Sequence, residues 1–194
     1  MKKNALALFV ALIAFCANMT AQTTGAARSN GTPASFVLGD GKLGPLSLGQ
    51  TVASLPSSVP GLYDRYEYKK QEVESDMEDS WTEEWCFFYK GGREVFKAHA
   101  EDQTLDSFVL EEGSSFIKTS EGFYVGCSAR TVFSRKRLQW ETWYTGTTFA
   151  RNGHWEYHIP AEDILGGKET PTRLADIKQS AKISMIAYYS SLPE

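Results

Sequence analysis

Trp85-Cys86-Phe87-Phe88-Tyr89, then Lys90-Gly91-Gly92, then Arg93-Glu94-Val95-Phe96-Lys97-Ala98-His99-Ala100 is the stretch that decides the fold. The first run is almost wholly aromatic and reads as a central strand buried on both sides. The paired glycines supply a tight turn. The third run sets Phe96, Ala98 and Ala100 on one face, as period-2 alternation requires. Two such runs around a glycine turn spell a β-hairpin.

The pattern continues in both directions. Leu105 to Leu110 reads as a third strand. Leu138 to Tyr144 sets Trp140 and Tyr144 on one face and Gln139, Glu141 and Trp143 on the other. His154 to Ile159 alternates Trp155, Tyr157 and Ile159 against His154, Glu156 and His158, and Lys182 to Ser190 reads as a last strand. The aromatic and β-branched content of these runs suits pleated, half-buried surfaces. Helix signals are few. Thr51 is placed to cap Val52 to Leu55 before Pro56 stops it, Ser128 to cap Ala129 to Arg137, and Pro160 opens a turn that Gly166-Gly167 breaks.

A short repeat joins these pieces. Leu46-Ser47-Leu48-Gly49-Gln50-Thr51-Val52 and Phe123-Tyr124-Val125-Gly126-Cys127-Ser128-Ala129 align at a spacing of 77 residues. Both read apolar, any, apolar, Gly, any, hydroxyl, small or apolar. The shared logic is an extended segment, a glycine in an unusual backbone angle and a capped helix start. The expectation is an α+β fold: an antiparallel sheet built from two related helix-plus-meander halves, 36–117 and 118–194, with a few short helices on one face.

That half-unit resembles the small modules of the β-lactamase-inhibitor-like and outer-membrane assembly lipoprotein (SmpA/OmlA) type. The overall pattern is similar to secreted proteins of unknown function from Bacteroidetes-type bacteria. The resemblance covers Leu43 to Leu55 and Ser120 to Val132. It departs from the family at Pro56, which shortens the first helix, and in its lipoprotein cysteine. It implies a helix pair packed on a short antiparallel sheet, and a protein-binding role without catalysis.

The amino terminus sets the compartment. Lys2 and Lys3 precede the apolar run Ala5 to Phe15, and small and polar residues follow to Ala21. Residues 1–21 therefore read as a secretory signal peptide. Its apolar run is too short to span a bilayer, which takes about 20 residues. Cys16 would allow a lipid anchor, but Phe15 stands before it where that pattern wants a small residue. Residues 22–35, rich in Thr, Gly, Ala and Ser, read as a flexible leader. Cleavage after Ala21 leaves 173 residues with 18 basic and 24 acidic side chains, a formal net charge of −6. That balance disfavours nucleic acid, whose phosphates need clustered positive charge. The tightest basic run, Arg135-Lys136-Arg137, reads as a solvated helix end.

Several candidate sites can be weighed from residue type and spacing. His154, Glu156 and His158 share a strand face and offer a nitrogen–oxygen–nitrogen set to a divalent metal, yet same-face neighbours stand about 6.5–7 Å apart and the trio reads as the wet face of its strand. His99, with Asp102 nearby, reads as solvated. Cys86 and Cys127 either form one disulfide or serve as two small buried hydrophobes. Gly39-Asp40-Gly41-Lys42-Leu43-Gly44 spells a dinucleotide fingerprint but Pro45 and an extended segment follow it, where the motif needs a helix N-terminus; it reads as a turn, and no cofactor is expected. The acidic run from Glu72 to Glu84 lacks the glycine of a calcium loop and reads as a solvated hairpin loop. Trp143, flanked on its face by Gln139 and Glu141, suits a protein contact or a sugar ring. The expected function is an exported non-catalytic protein that recognises a protein in the periplasm or at the cell surface. A carbohydrate-binding accessory protein comes second and a metal-dependent enzyme third.

Overall fold

A computed structural model of the chain describes residues 36–74, 80–136, 139–142, 147–167 and 170–191. The expected signal peptide, the leader, Cys16, Trp143 and the middle of the acidic run lie outside the described residues. Three short strands open the fold: β1 (Phe36–Gly39), β2 (Lys42–Leu43) and β3 (Leu46–Ser47). The Gly39–Gly44 segment is the β1–β2 hairpin, turned by Asp40 and Gly41 at positive φ, with no helix after it.

Four long strands follow as a meander: β4 (Arg65–Glu74), β5 (Ser80–Lys90), β6 (Arg93–Glu101) and β7 (Thr104–Leu110). The Gly91-Gly92 turn joins β5 to β6 as the sequence requires. β8 (Ile117–Thr119) pairs in parallel with β1, and α1 (Ala129–Arg135) comes next. A second meander comprises β9 (Gln139–Thr142), β10 (Thr147–Asn152) and β11 (Trp155–Pro160), and the chain closes on β12 (Met185–Tyr189). The two meanders fuse into one eight-stranded antiparallel sheet in the order β4-β5-β6-β7-β12-β11-β10-β9.

The expected antiparallel sheet is present, and the few short helices expected on one face are fewer than an α+β fold implies. Among the described residues α1 is the one α-helix, and Val52–Ser54, Ala161–Asp163, Leu165–Gly167 and Leu174–Asp176 are single 3-10 turns. Pro56 forbids extension of the first turn, because a residue before proline is pushed out of the helical region. Neither the Thr51 nor the Ser128 hydroxyl accepts a capping hydrogen bond from the helix backbone. The Val52 turn and α1 lay apolar side chains on the core, Val52 from the first and Ala129, Val132 and Phe133 from the second, and that burial rather than helix propensity holds them.

One face of the sheet is packed. Cys86, Phe88, Phe96, Ala98, Phe108, Leu110, Tyr157, Ile159 and Ile186 meet Leu38, Leu43, Leu62 and Tyr63 from the opening segment and Val125, Ala129, Val132 and Ile183 from the α1 side. Phe88 stacks on Phe96 with centroids 4.3 Å apart, and Tyr63 meets Phe88 edge-on at 4.8 Å. Each fully buried aromatic or aliphatic side chain contributes about 1.5–3 kcal/mol. Cys86 lies in this core and Cys127 in the turn after Gly126, both as free thiols, so the disulfide alternative is not formed. Burial pushes the Cys86 thiol up to about 12. The basic run also differs from expectation: the Lys136 side chain is 7% exposed, pairs with Glu121 at 2.7 Å and lies over the Tyr157 ring.

Both copies of the repeat are held by the same backbone bonds. Gly49 N–H donates to Leu105 O, Leu105 N–H to Gln50 O and Val52 N–H to Gln103 O, at 2.7, 2.9 and 2.8 Å. In the second copy Gly126 N–H donates to Ile183 O, Ile183 N–H to Cys127 O and Ala129 N–H to Ala181 O, at 2.8, 3.0 and 3.0 Å. Leu105 and Ile183 thus hold equivalent places. Counting on from them, Val109 matches Ala187, and these two residues are themselves partners across β7 and β12. The sheet therefore has an approximate two-fold axis through the Val109–Ala187 pair.

Candidate functional site

The second face of the sheet carries the polar chemistry. Register places Trp85 on β5, Lys97 and His99 on β6, Ser107 and Val109 on β7, Met185, Ala187 and Tyr189 on β12, and Glu156 and His158 on β11 along that face. A hollow of about 480 Å³ opens over the middle of it, within the size range of small-ligand sites.

At one end, His99 Nδ1 lies 2.8 and 2.9 Å from the two carboxylate oxygens of Asp106. This bond raises the His99 pKa against the opposing effect of burial. Sequence reading named Asp102 as the neighbour, and the correction has a structural cause. Strict alternation puts Asp106 beside Phe108 and Leu110 on the packed face. A bulge intervenes: His99 pairs with Ser107 and Ala100 with Leu105, so Asp106 is the extra residue. Bulges re-aim side chains in this way. The His99 ring also meets Trp85 edge-on at 5.0 Å, and the Lys97 ammonium sits 5.1 Å from the Trp85 ring centre.

At the other end, Glu156 holds His158 Nε2 through one oxygen and Arg151 Nε, at 2.9 Å, through the other. Burial pushes the Glu156 carboxyl up, but these bonds outweigh it and hold the group below the usual range. Burial and the nearby carboxylate push Tyr189 up to about 12. His158 stacks on Phe149 at 5.3 Å, and the Arg151 guanidinium lies 4.9 Å from the same ring. The expectation that Glu156 and His158 line a wet strand face is overturned: they are 1% and 5% exposed. Alternation named the face correctly, but it could not show that Arg151 and Phe149 from β10 pack against these two side chains.

The third member of the expected metal trio is elsewhere. His154 sits in the turn before β11, bonds the Tyr189 carbonyl through Nδ1 at 2.9 Å and stacks on Tyr188 at 5.6 Å. Among the described residues no group of three or more His, Cys, Asp or Glu side chains is placed to hold a metal ion.

A second hollow, of about 520 Å³, adjoins the first at the β5–β6 end and shares Glu83, His99 and Asp106 with it. Glu84, Glu101 and Asp102 also line it. Trp81, 49% exposed, stands at its rim. Glu83 accepts from the indoles of both Trp81 and Trp85, at 3.3 and 3.2 Å. Part of the acidic run is therefore strand rather than loop. Glu84 is buried, bonded to the Lys70 ammonium and the Gln103 N–H, each at 2.7 Å, and its carboxyl is held down to about 2.

No family model and no curated protein matches the sequence. Among solved structures, the chain is similar to the uncharacterised protein yfeY from Escherichia coli. The two share 16% identity with a TM-score of 0.48, over 73% of this chain and 95% of that one. No helix among the described residues is long and apolar enough to cross a membrane.

Proposed function

We propose that the chain is exported to the periplasm or cell surface and acts there, without catalysis, as a binding protein for a protein partner. Trp81 carries this reading. A half-exposed indole at the rim of an acid-lined hollow is the kind of residue on which interface energy concentrates. Its carboxylate surroundings complement a basic segment of the partner and speed its approach. The basic start, short apolar run and small-residue zone of residues 1–21 support export.

The non-catalytic part of the reading rests on the sheet itself. The hollow does bring histidines and carboxylates within hydrogen-bond distance, and Ser107 stands opposite His99. Yet no hydrogen bond joins Ser107 to His99 among the described residues. A nucleophile there lacks a base in contact.

The test is affinity capture from the protein's own envelope extract, with the mature chain and its Trp81→Ala variant as baits. A partner retained by the first and lost by the second, with salt weakening the capture, is expected. A catch insensitive to both overturns the reading. Fractionation, with amino-terminal sequencing of the mature protein, checks export and the expected start at Gln22.

A further inference from the structure

The two-fold axis through Val109 and Ala187 makes His99 and His158 equivalent. Ser107 and Met185 match across the axis; His99 pairs with the first and His158 with the second. One strand further out, His99 pairs with Trp85 and His158 with Phe149. Each half of the sheet therefore sets an imidazole against an aromatic ring, places a cation over that ring and fastens the imidazole to a carboxylate. The carboxylate takes Nδ1 of His99 and Nε2 of His158. The remaining ring nitrogens, Nε2 of His99 and Nδ1 of His158, have no hydrogen-bond partner among the described residues. The His158 side chain is only 7% exposed and lines the central hollow together with His99. Neither nitrogen is among the sealed, unpartnered polar atoms of the described residues, so each keeps a contact with solvent that a ligand hydroxyl can replace.

We propose that this hollow binds a neutral saccharide, held at its two ends by the free nitrogens of His99 and His158. The backbones of β6 and β11 are three strand spacings apart, roughly 14 Å, and the register offsets His99 from His158 by the Met185-to-Tyr189 rise, roughly 13 Å, so their backbone positions stand roughly 20 Å apart, a span suited to a short oligosaccharide rather than a single ion. Most charges at the hollow are already matched, Asp106 by His99, Glu156 by Arg151 and His158, and Lys97 by Glu111 at 2.9 Å, while Glu83 at its edge accepts from the indoles of Trp81 and Trp85. What the site offers is hydrogen bonding over an apolar floor of Val109 and Met185. A hydroxyl both donates and accepts, so it satisfies an imidazole nitrogen in either tautomer, and the C–H face of a sugar ring covers the floor. The inference shares with the proposed function the reading of this face as a recognition surface, but names another ligand and another place on it.

The experiment presents the folded mature chain to an array of neutral oligosaccharides built from glucose, mannose, galactose, xylose and N-acetylglucosamine. The best binder is then titrated against tryptophan fluorescence, since Trp85 lines the hollow. At least one class is expected to bind. His99→Gln and His158→Gln are each expected to weaken it by about tenfold, and by similar factors, because the axis makes them equivalent. If His158→Gln does not fold, Met185→Trp, which fills the floor, replaces it and is expected to abolish binding. A folded chain that binds no sugar on the array overturns the proposal, as does affinity unchanged by His99→Gln. Trp81→Ala is expected to leave sugar affinity within about twofold while removing partner capture, so failure of one proposal is distinguishable from failure of the other.

Discussion

Gly49 and Gly126 hold the same place in two copies of one local structure. Both are left-handed, with φ of 81° and 93°, and both donate their N–H to a strand backbone, at Leu105 and at Ile183. Neither would bring a Cβ within 4 Å of another atom, so the demand for glycine is conformational and not steric crowding. Gly49→Ala and Gly126→Ala should therefore each destabilise by about 1–2 kcal/mol, the usual cost of a left-handed non-glycine residue. Similar losses by urea unfolding support the equivalence of the two copies. A loss at one position alone contradicts it.

Glu84 should govern acid stability. Its carboxyl, normally near 4.3, is held down to about 2 by Lys70 and the Gln103 N–H. A depressed folded-state pKa adds stability above the unfolded value, and that stability is lost as pH falls toward the folded one. Wild type should weaken between about pH 4.5 and 2. Glu84→Gln, with no charge to lose, should show a shallower decline across that window, as measured by denaturant midpoints.

His99 carries the opposite sign. Asp106 raises its pKa, so its contribution to stability is complete below the ordinary imidazole range and disappears as pH rises through the raised value. Asp106→Asn should lower the His99 titration midpoint, followed by the ring-proton shift in NMR. An unmoved midpoint means the carboxylate does not set it.

Tyr157 should tolerate loss of its hydroxyl. The residue is fully buried, and its OH has no hydrogen-bond partner among the described residues. Tyr157→Phe removes an unsatisfied polar atom and keeps the ring against Phe123, so stability should hold or rise by up to about 1–3 kcal/mol. A drop of similar size would show that the hydroxyl has a partner.

Much of the sheet was legible in the chain itself, because period-2 alternation and glycine turns are local signals. The hairpin around Gly91-Gly92, the Leu105 strand, the alternation of Tyr157 and Ile159 and the last strand all follow from neighbouring residues. So does the spacing that aligns Gly49 with Gly126. Helix type was not legible, since a capping residue and a few apolar positions do not tell an α-helix from a single 3-10 turn.

What the chain could not state was decided between strands. A bulge, invisible to alternation, turned Asp106 toward His99. Register placed His158 and His99 symmetrically about Val109 and Ala187. Contacts from the neighbouring strand, by Arg151 and Phe149, made Glu156 and His158 dry. Local sequence sets which way each side chain points along its own strand; only the pairing of strands distant in the chain sets which side chains face one another and how much water remains between them.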